Sequence, residues 1–286
     1  MELMQYFTLI RVKQYYKNVL VFLAIFFSGN LFNLDILARS IAGFFILCAA
    51  SSSIYVFNDI VDRKSDKIHP EKSKRPLASG SIKTKNASIL SVSLMLASLS
   101  LSYIISKQFF FIVLFLMFFS FIYTLWMSKI LIMDILFISI NFVLRAVSGG
   151  SLNNIWVSPW LISGSFFLAF FLAAGKRKSE LVYMESLKKK KTFYPEKILD
   201  RMLYFSATML LGSYILYTIS ANLWLLVTVP FASHMAFKYL KYSSLGFRSA
   251  RNHEYLFFDR NIAVSLSIYL FLLTSVLYWK NIISLF

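Results

Sequence analysis

Three aspartates and a group of basic residues follow directly on an apolar run of helix length. The aspartates are Asp59, Asp62 and Asp66, and on one helix their spacing of i, i+3 and i+7 places them on the same face. Three carboxylates this close repel one another unless a cation neutralises them. Hard oxygen ligands favour Mg²⁺ where the cation can also bind substrate phosphates. The spacing therefore predicts a diphosphate site in which these three aspartates hold Mg²⁺.

Basic residues surround the aspartates and are candidates to receive phosphates: Arg63, Lys64, Lys67, Lys72, Lys74 and Arg75. His69-Pro70 is expected to end the aspartate helix, because proline cannot continue it. The chain has three histidines, and their spacing does not suit a zinc site or a nucleophilic triad. A purely lipid-facing charged loop is the alternative interpretation, but it leaves the aspartate spacing unexplained.

The elements that must position these residues are membrane spans. Apolar residues make up 58% of the 286 residues, mean hydropathy is +0.66, and Phe occurs 30 times. A soluble domain of this size could not bury so much apolar surface. Nine segments are long enough to cross a bilayer: 18–34, 36–57, 86–106, 109–127, 132–149, 157–175, 202–220, 222–239 and 262–279. With no Gly-, Pro- or Ser-rich linker, we expect an all-α integral membrane protein, a nine-helix bundle forming a single domain over residues 1–286.

Charge predicts the orientation of this bundle. Most of the 30 lysines and arginines lie in the N-terminal segment and in the connections 58–85, 176–201 and 238–260. The positive-inside rule then places the N-terminus and the site in the cytoplasm. Because these charges flank membrane spans, nucleic-acid binding is disfavoured, and the Lys188–Lys191 run is expected to attract anionic membrane lipids. No cleavage site for a signal peptide follows the first apolar run.

Arg145 lies inside a predicted span, where an arginine costs about 2.5–3.5 kcal/mol to insert, so it must face the protein interior or a wet cavity. Two interpretations stay open, an internal polar clamp and contact with an anionic substrate. The same choice between structure and function applies to Lys176 and Arg177. It applies also to the cluster of Glu254, Asp259 and Arg260. The single cysteine, Cys48, is expected to be a small buried residue.

Asn58-Asp-x-x-Asp-x-x-x-Asp66 after a transmembrane helix resembles the first motif of UbiA-type intramembrane prenyltransferases. Five further blocks are similar to one branch of that superfamily, the decaprenyl-phosphate phosphoribosyltransferases. They are Lys13-Gln-Tyr-Tyr-Lys17-Asn18, His69-Pro-x-Lys72-x-x-Arg75-Pro-x-Ala-x-Gly80, Leu144-Arg145-Ala-Val-x-Gly149, Ser158-x-Trp160 and Gly175-Lys-Arg-x-x-Glu180. The resemblance extends over residues 10–260 with the blocks in the same order.

The resemblance implies a nine-helix bundle with a cytoplasm-facing cavity in which Mg²⁺ binds a diphosphate. It implies transfer of phosphoribose from phosphoribosyl diphosphate (PRPP) to a polyprenyl phosphate, with Asp59, Asp62 and Asp66 as catalytic metal ligands. The substrate-binding residues that it implies are Lys17, Asn58, Lys72, Arg75, Tyr123, Lys129, Asp134, Arg145 and Lys176. A bacterial inner membrane fits such an enzyme, and a homo-oligomer stays open.

Two features depart from the superfamily pattern. Prenyl-diphosphate enzymes carry a second aspartate cluster, whereas the corresponding region here is interpreted as Tyr123, Lys129 and Asp134. Lys129 also sits one place later than the pattern, with Ser128 in its position, and one residue turns a helix by about 100°. The missing second aspartate cluster favours the phosphoribosyl branch, and prenyl transfer to an aromatic acceptor stays open as the second activity. A transporter or channel, the third class, is disfavoured because the charges gather at one face.

Overall fold

The computed structural model describes residues 2–68, 72–127, 130, 132–186 and 195–279, and in these ranges the chain is helical, without strands. Within these ranges, eight helices are long and apolar enough to cross a membrane: Leu34–Val61, Thr84–Ile105, Lys107–Leu125, Met133–Asn153, Pro159–Ser186, Glu196–Ala221, Leu223–Ser244 and Arg260–Leu277. They match the last eight predicted spans. The all-α integral membrane architecture is confirmed.

The count of nine spans is not confirmed, because the first predicted span, 18–34, does not form one long α-helix. It consists of a 3₁₀ helix, Val12–Phe22, followed by the short helix Leu23–Phe27. Gly29, with φ of 76°, turns the chain after it. Asn33 then caps the next helix by accepting hydrogen bonds from the backbone N–H groups of Asp35 and Ile36. These turn and cap residues separate the first predicted span from the helix Leu34–Val61.

The first of two compact units comprises residues 1–128 and 144–156. Its elements are α1 (Glu2–Leu9), the 3₁₀ helix Val12–Phe22, α2 (Leu23–Phe27), α3 (Leu34–Val61), α4 (Arg63–Ile68), the 3₁₀ turn Lys72–Lys74, α5 (Thr84–Ile105), α6 (Lys107–Leu125) and the second half of α7 (Met133–Asn153). Its main core joins the 3₁₀ segment to α3, α6 and α7 through Val21, Leu47, Phe109, Leu116 and Leu152.

Small residues bring these elements close together. A Cβ on Gly149 would lie 1.8 Å from the backbone oxygen of Val21, so α7 can pack here only with glycine. Between α3 and α5, the Ser53 hydroxyl donates to the Ser91 carbonyl at 2.8 Å, and the Ser91 hydroxyl donates back to the Ser53 carbonyl at 2.9 Å. Reciprocal bonds of this kind satisfy polar groups that lipid could not.

A second, smaller core lies beside the end of α3. Leu9 of α1, Val56 of α3, Leu77 and Ile82 of the following loop, and Ala87 of α5 are buried against one another. This core ties the N-terminal helix and the loop around residues 75–82 to the end of α3. The first unit thereby holds its basic loop in a fixed place beside the aspartates.

The second unit comprises residues 129–143 and 157–286. Its helices are the first half of α7, then α8 (Pro159–Ser186), α9 (Glu196–Ala221), α10 (Val229–Ser244), α11 (Arg248–Arg251) and α12 (Arg260–Leu277), with 3₁₀ helices at Leu223–Thr228 and His253–Phe258. Ile135, Phe171, Leu181, Leu203 and Tyr239 lie in its core. The prediction that residues 1–286 form one domain stays a prediction.

Candidate active site

Two buried carboxylates form the centre of the candidate site in the first unit. Asp59, in the last turn of α3, is 3% exposed, and Asp66 of α4 is 2% exposed. Helical hydrogen bonds continue across the junction at Asp62. The Asp62 N–H donates to the Asn58 carbonyl, and the Asp66 N–H donates to the Asp62 carbonyl, both at 2.8 Å. Asp59 and Asp66 therefore share a helical face, as their spacing of two turns predicts.

Asp62 differs from the other two aspartates because its side chain is exposed. In the described ranges no group of three His, Cys, Asp or Glu side chains is close enough to hold a metal ion. Of the three predicted carboxylates, the structure thus brings Asp59 and Asp66 together, and Asp62 lies at the surface beside them. Asp62 sits where α3 ends at Val61, at the boundary between two helices, and the sequence spacing assumed one uniform helix. Its role as a metal ligand stays a prediction.

Arg75 links the two buried carboxylates. Its Nη1 donates to Asp59 Oδ1 at 3.1 Å and to Asp66 Oδ2 at 2.8 Å. Lys72 Nζ lies 4.0 Å from Asp66 Oδ1. The sequence predicted both cations as phosphate ligands, and the structure places both beside the acids. Buried charges are stable only when paired in this way.

Arg11, a residue that the sequence did not indicate, pairs with one of these acids, Asp59. Its Nη2 donates to Asp59 Oδ1 at 2.5 Å, and its guanidinium lies 5.0 Å from the centre of the Tyr55 ring. The side chains of Arg11 and Arg75 are 22% and 29% exposed, in contrast to the acids that they cover. A solvent-borne anion can therefore reach the cations more readily than the carboxylates.

Asn58 is oriented by α6. The Thr124 hydroxyl donates to Asn58 Oδ1 and also to the Ser120 carbonyl, and Thr124 itself is buried. Tyr123, the neighbouring predicted site residue, is half-buried on the same helix. Sequence reasoning missed Thr124 because a threonine near the end of an apolar span carries no signal of its own.

Arg145 lies in a polar cluster between the 3₁₀ segment, α3 and α7 of the first unit. It is 6% exposed, its Nε donates to Asn18 Oδ1 at 2.9 Å, and its Nη2 donates to Ser51 Oγ at 3.4 Å. The Asn18 amide in turn lies 3.2 Å from Cys48 Sγ, and Cys48 is buried. These contacts are those of an internal polar clamp. A direct contact of Arg145 with substrate stays a prediction.

Lys17 is half-buried on the 3₁₀ segment, where its Nζ donates to Gln14 Oε1 at 2.7 Å. Gln14 and Lys17 belong to the block that resembles the phosphoribosyltransferase branch. The structure thus places Lys17 in the same segment as Arg11 and Asn18. Its contact with a phosphate stays a prediction.

Three predicted site residues belong to the second unit. Asp134 is buried at the start of α7, where Arg177 Nη2 lies 2.9 Å from its Oδ2. Arg177 also pairs with Glu180 at 3.0 Å, and Lys176 is 3.9 Å from Glu180. The sequence indicated Lys176, yet Arg177 is the cation that binds the buried acid. Lys129 lies outside the described residues.

In the predicted polar cluster before the last span, Asp259 has a structural role. Asp259 Oδ1 accepts from the Ile262 N–H at 3.0 Å and so caps α12, and Lys238 Nζ lies 2.8 Å from the same oxygen. Burial alone would raise the pKa of Asp259, but the hydrogen bonds from Lys238, Tyr242 and the backbone lower that pKa to about 2. The carboxylate therefore remains charged in its capping position at any ordinary pH.

The sequence profile of the UbiA prenyltransferase family matches residues 18–261, which include both acids of the buried pair. The chain belongs to the UbiA prenyltransferase family. A UbiA-family enzyme is a transferase, and the eight apolar helices of the described ranges make this one an integral membrane transferase.

Curated relatives of this UbiA-family chain include decaprenyl-phosphate phosphoribosyltransferases. The protein of that name from Mycolicibacterium smegmatis is 31% identical over 74% of this chain and 70% of its own length. The one from Corynebacterium glutamicum is 30% identical over 73% of this chain and 65% of its own length, so the match covers less than two thirds of it.

The fold of this UbiA-family chain is similar to that of a UbiA homolog from Archaeoglobus fulgidus, solved bound to DMAPP and Mg²⁺. The TM-score is 0.68 at 18% identity, over 94% of this chain and 99% of the other. At this identity the similarity establishes the fold alone.

Proposed function

We propose that this chain transfers the 5-phosphoribosyl group from PRPP to a polyprenyl phosphate and releases diphosphate. The observation that carries the proposal is the pair of buried acids, Asp59 and Asp66, paired with partly exposed arginines in a UbiA-family fold. Relatives about 30% identical that are named decaprenyl-phosphate phosphoribosyltransferases support this choice of donor and acceptor.

The carboxylate oxygens of the three aspartates are suitable ligands for a divalent cation. Asp59 and Asp66 supply buried carboxylate oxygens on one helical face, and Asp62 supplies a third carboxylate at the junction between them. We propose that these residues hold Mg²⁺, as do other sites in which a few carboxylates and substrate phosphates share the cation. When bound, Mg²⁺ supplies positive charge that stabilises the leaving diphosphate.

The basic residues of the first unit then bind the phosphates of the donor. Arg75 and Lys72 already lie beside Asp66, and Lys17 extends from the 3₁₀ segment. Guanidinium groups suit phosphate because they donate two parallel hydrogen bonds. Asn58, held by Thr124, orients the site beside Asp59, and we propose that Tyr123 and Arg145 complete it.

In the transfer step the bond between ribose C1 and the diphosphate oxygen breaks, and its electron pair leaves with diphosphate. An oxygen of the polyprenyl phosphate forms the new bond to C1 from the opposite face. A phosphate monoester is already anionic at neutral pH, so this nucleophile needs no dedicated base. The proposal therefore requires no catalytic histidine.

Residues of the second unit are proposed to bind substrate as well. Asp134 and Lys176 flank Arg177 in one charged network, and Lys129 belongs to the same part of the sequence. Because Asp134 is buried and paired, we propose that it acts by holding Arg177 in place. Lys176, 42% exposed, is the member that a phosphate could reach first.

We propose that the enzyme lies in a bacterial inner membrane with its N-terminus and acid pair facing the cytoplasm, where PRPP is made. The excess of Lys and Arg in the predicted cytoplasmic connections supports this orientation. The whole chain is proposed to act as one domain in contact with membrane lipids, with no nucleic-acid partner. Association into a homo-oligomer is compatible with this arrangement.

Comparison of donors tests the proposal. Purified protein is incubated with Mg²⁺ and either PRPP plus polyprenyl phosphate or a prenyl diphosphate plus an aromatic acceptor, and released diphosphate is measured. We expect release from PRPP, and at least a hundredfold loss in Asp66→Asn. Asp35→Asn, which removes an exposed carboxylate from the first turn of α3, is the matched control and keeps full activity.

Prenyl transfer is the second candidate because a structural neighbour was solved with DMAPP. It predicts diphosphate release from the prenyl donor and none from PRPP. That result would replace the proposed donor while leaving the acid pair as the metal site. Equal activity of Asp66→Asn and the wild type with either donor would contradict both candidates.

A further inference from the structure

We propose that Arg11 competes with the metal ion for Asp59. It forms an ion pair with Asp59 until a divalent cation binds, and it then binds the diphosphate that arrives with the cation. This inference rests on the proposed function for the identity of the donor. It assigns a role to a residue of the N-terminal segment that lies outside the family match over residues 18–261.

The contact geometry makes Arg11 and a cation competitors. Asp59 Oδ1 accepts from Arg11 Nη2 at 2.5 Å and from Arg75 Nη1 at 3.1 Å, so both guanidinium groups use one oxygen. An oxygen that binds a divalent cation directly cannot keep two such donors, and the cation also repels them. Arg75 has a second acid, Asp66, to which it is bound at 2.8 Å. Arg11 is the group that must leave.

The backbone of Arg11 is held in an unusual conformation. Its φ of 54° and ψ of 50° are left-handed, a region that residues other than Gly and Asn seldom adopt. It ends α1 by donating from its N–H to the Thr8 carbonyl at 3.2 Å, and its own carbonyl accepts from the Gln14 N–H at 2.8 Å. Strain of this kind at a charged side chain is typical of functional sites. Here it directs the guanidinium at Asp59.

The surroundings keep Arg11 close after release. The Ser52 hydroxyl donates to the Ile10 carbonyl at 3.0 Å, and Leu9 is fully buried, so the residues directly before Arg11 stay fixed to α3. The side chain is 22% exposed and rests near the Tyr55 ring. A released guanidinium thus remains beside the metal, where the negative charge of a bound diphosphate is concentrated.

The test measures metal and donor binding separately in full-length protein. Mn²⁺ is the metal probe, and the electron paramagnetic resonance signal of free Mn²⁺ gives its Kd without any turnover. The variant is Arg11→Asn, because asparagine tolerates the left-handed backbone and keeps the fold. Lys13→Asn is the matched control, since it removes the same charge from an exposed position two residues away. Arg11→Lys retains the charge without the planar guanidinium.

We expect Arg11→Asn to bind Mn²⁺ roughly fivefold more tightly than the wild type in the absence of donor. With saturating Mg²⁺, the same variant should bind PRPP roughly tenfold more weakly in calorimetric titrations. Lys13→Asn should match the wild type in both measurements, and Arg11→Lys should lie between the wild type and Arg11→Asn.

Equal Mn²⁺ affinities of the wild type and Arg11→Asn, or no binding of Mn²⁺ by either, would overturn the inference. So would a Lys13→Asn variant that behaves like Arg11→Asn, because the effect would then be one of net charge alone. If Mn²⁺ binds as expected but no protein binds PRPP, the choice of donor fails and the competition at Asp59 stands. The two proposals therefore fail in different measurements.

Discussion

The three aspartate side chains of the predicted metal cluster are of two kinds, buried and exposed. Asp59 and Asp66 are buried and paired with guanidinium groups, whereas Asp62 is exposed. A buried carboxylate that loses its charge loses its ion pairs and keeps its own buried polar atoms, and that costs free energy of folding. An exposed carboxylate carries no such cost. The three residues should therefore differ in stability even where all three support activity.

Asp59→Asn and Asp66→Asn are expected to lower the free energy of unfolding by about 1–3 kcal/mol in metal-free buffer, because each leaves Arg75 short of one partner. Asp62→Asn is expected to have a free energy of unfolding within about 0.5 kcal/mol of the wild-type value. Thermal unfolding in detergent with a chelator, followed by tryptophan fluorescence, compares the three. A destabilised Asp62→Asn variant beside a stable Asp59→Asn variant would contradict the assignment of burial.

The sequence predicted much of this chemistry but not all of its partners. The spacing predicted that Asp59, Asp62 and Asp66 share a face, and the structure buries the first and the last of them. Charge predicted Lys72 and Arg75 beside the acids, where the structure has them. Arg11 could not be predicted, because its contact with Asp59 crosses 48 residues of chain. Arg177 was weighed as a membrane anchor, because nothing in the sequence shows that it meets Asp134 across 43 residues. Pairings of this kind are set by tertiary packing alone.

The sequence predicted the helices well wherever a long apolar segment forms a single membrane-spanning helix. Eight predicted spans correspond to helices, with ends that differ by several residues because polar turns such as 176–186 continue the helix. The first span was not found as a long helix, since hydropathy does not detect the 3₁₀ geometry of Val12–Phe22. That segment instead packs its Val21 backbone against Gly149. The segment Val12–Phe22 therefore packs closely against α7 and does not form a long membrane-spanning helix.

Gly149→Ala should destabilise the protein by about 1–3 kcal/mol or more, because the added Cβ would meet the backbone oxygen of Val21 at 1.8 Å. Gly164→Ala is the matched control: it lies in α8, and beyond its own helical turns no described residue has an atom within 4 Å of the added Cβ. Alanine favours a helix, so this control should be neutral or up to about 1 kcal/mol more stable. Thermal unfolding measures both, and equal losses would contradict the close approach of Gly149 to Val21.

The whole protein combines a membrane fold that hydropathy predicts with an orientation that charge predicts. Most lysines and arginines lie in connections that follow even-numbered predicted spans, and the buried acids lie in one of them. Hydropathy cannot distinguish the two faces of a membrane, so charge asymmetry is the evidence for a cytoplasmic site. The orientation can be measured directly.

Single-cysteine labelling tests the orientation. Cys48 is buried, so the wild type should react little with a membrane-impermeant maleimide. Lys74→Cys, at an exposed position near the acid pair, should react in inside-out vesicles and not in intact spheroplasts. Trp156→Cys, whose native side chain is 84% exposed, should show the opposite pattern. The reverse result for both variants would place the site outside the cytoplasm.

The most direct measurement is the mass of the lipid product. Purified protein receives PRPP labelled in the ribose, a polyprenyl phosphate and Mg²⁺, and the extracted lipid is analysed by mass spectrometry. We predict a polyprenyl phosphate heavier by one labelled phosphoribosyl group, formed by the wild type and not by Asp66→Asn. An unchanged polyprenyl phosphate, in a preparation that consumes a prenyl diphosphate instead, would contradict phosphoribosyl transfer by this protein.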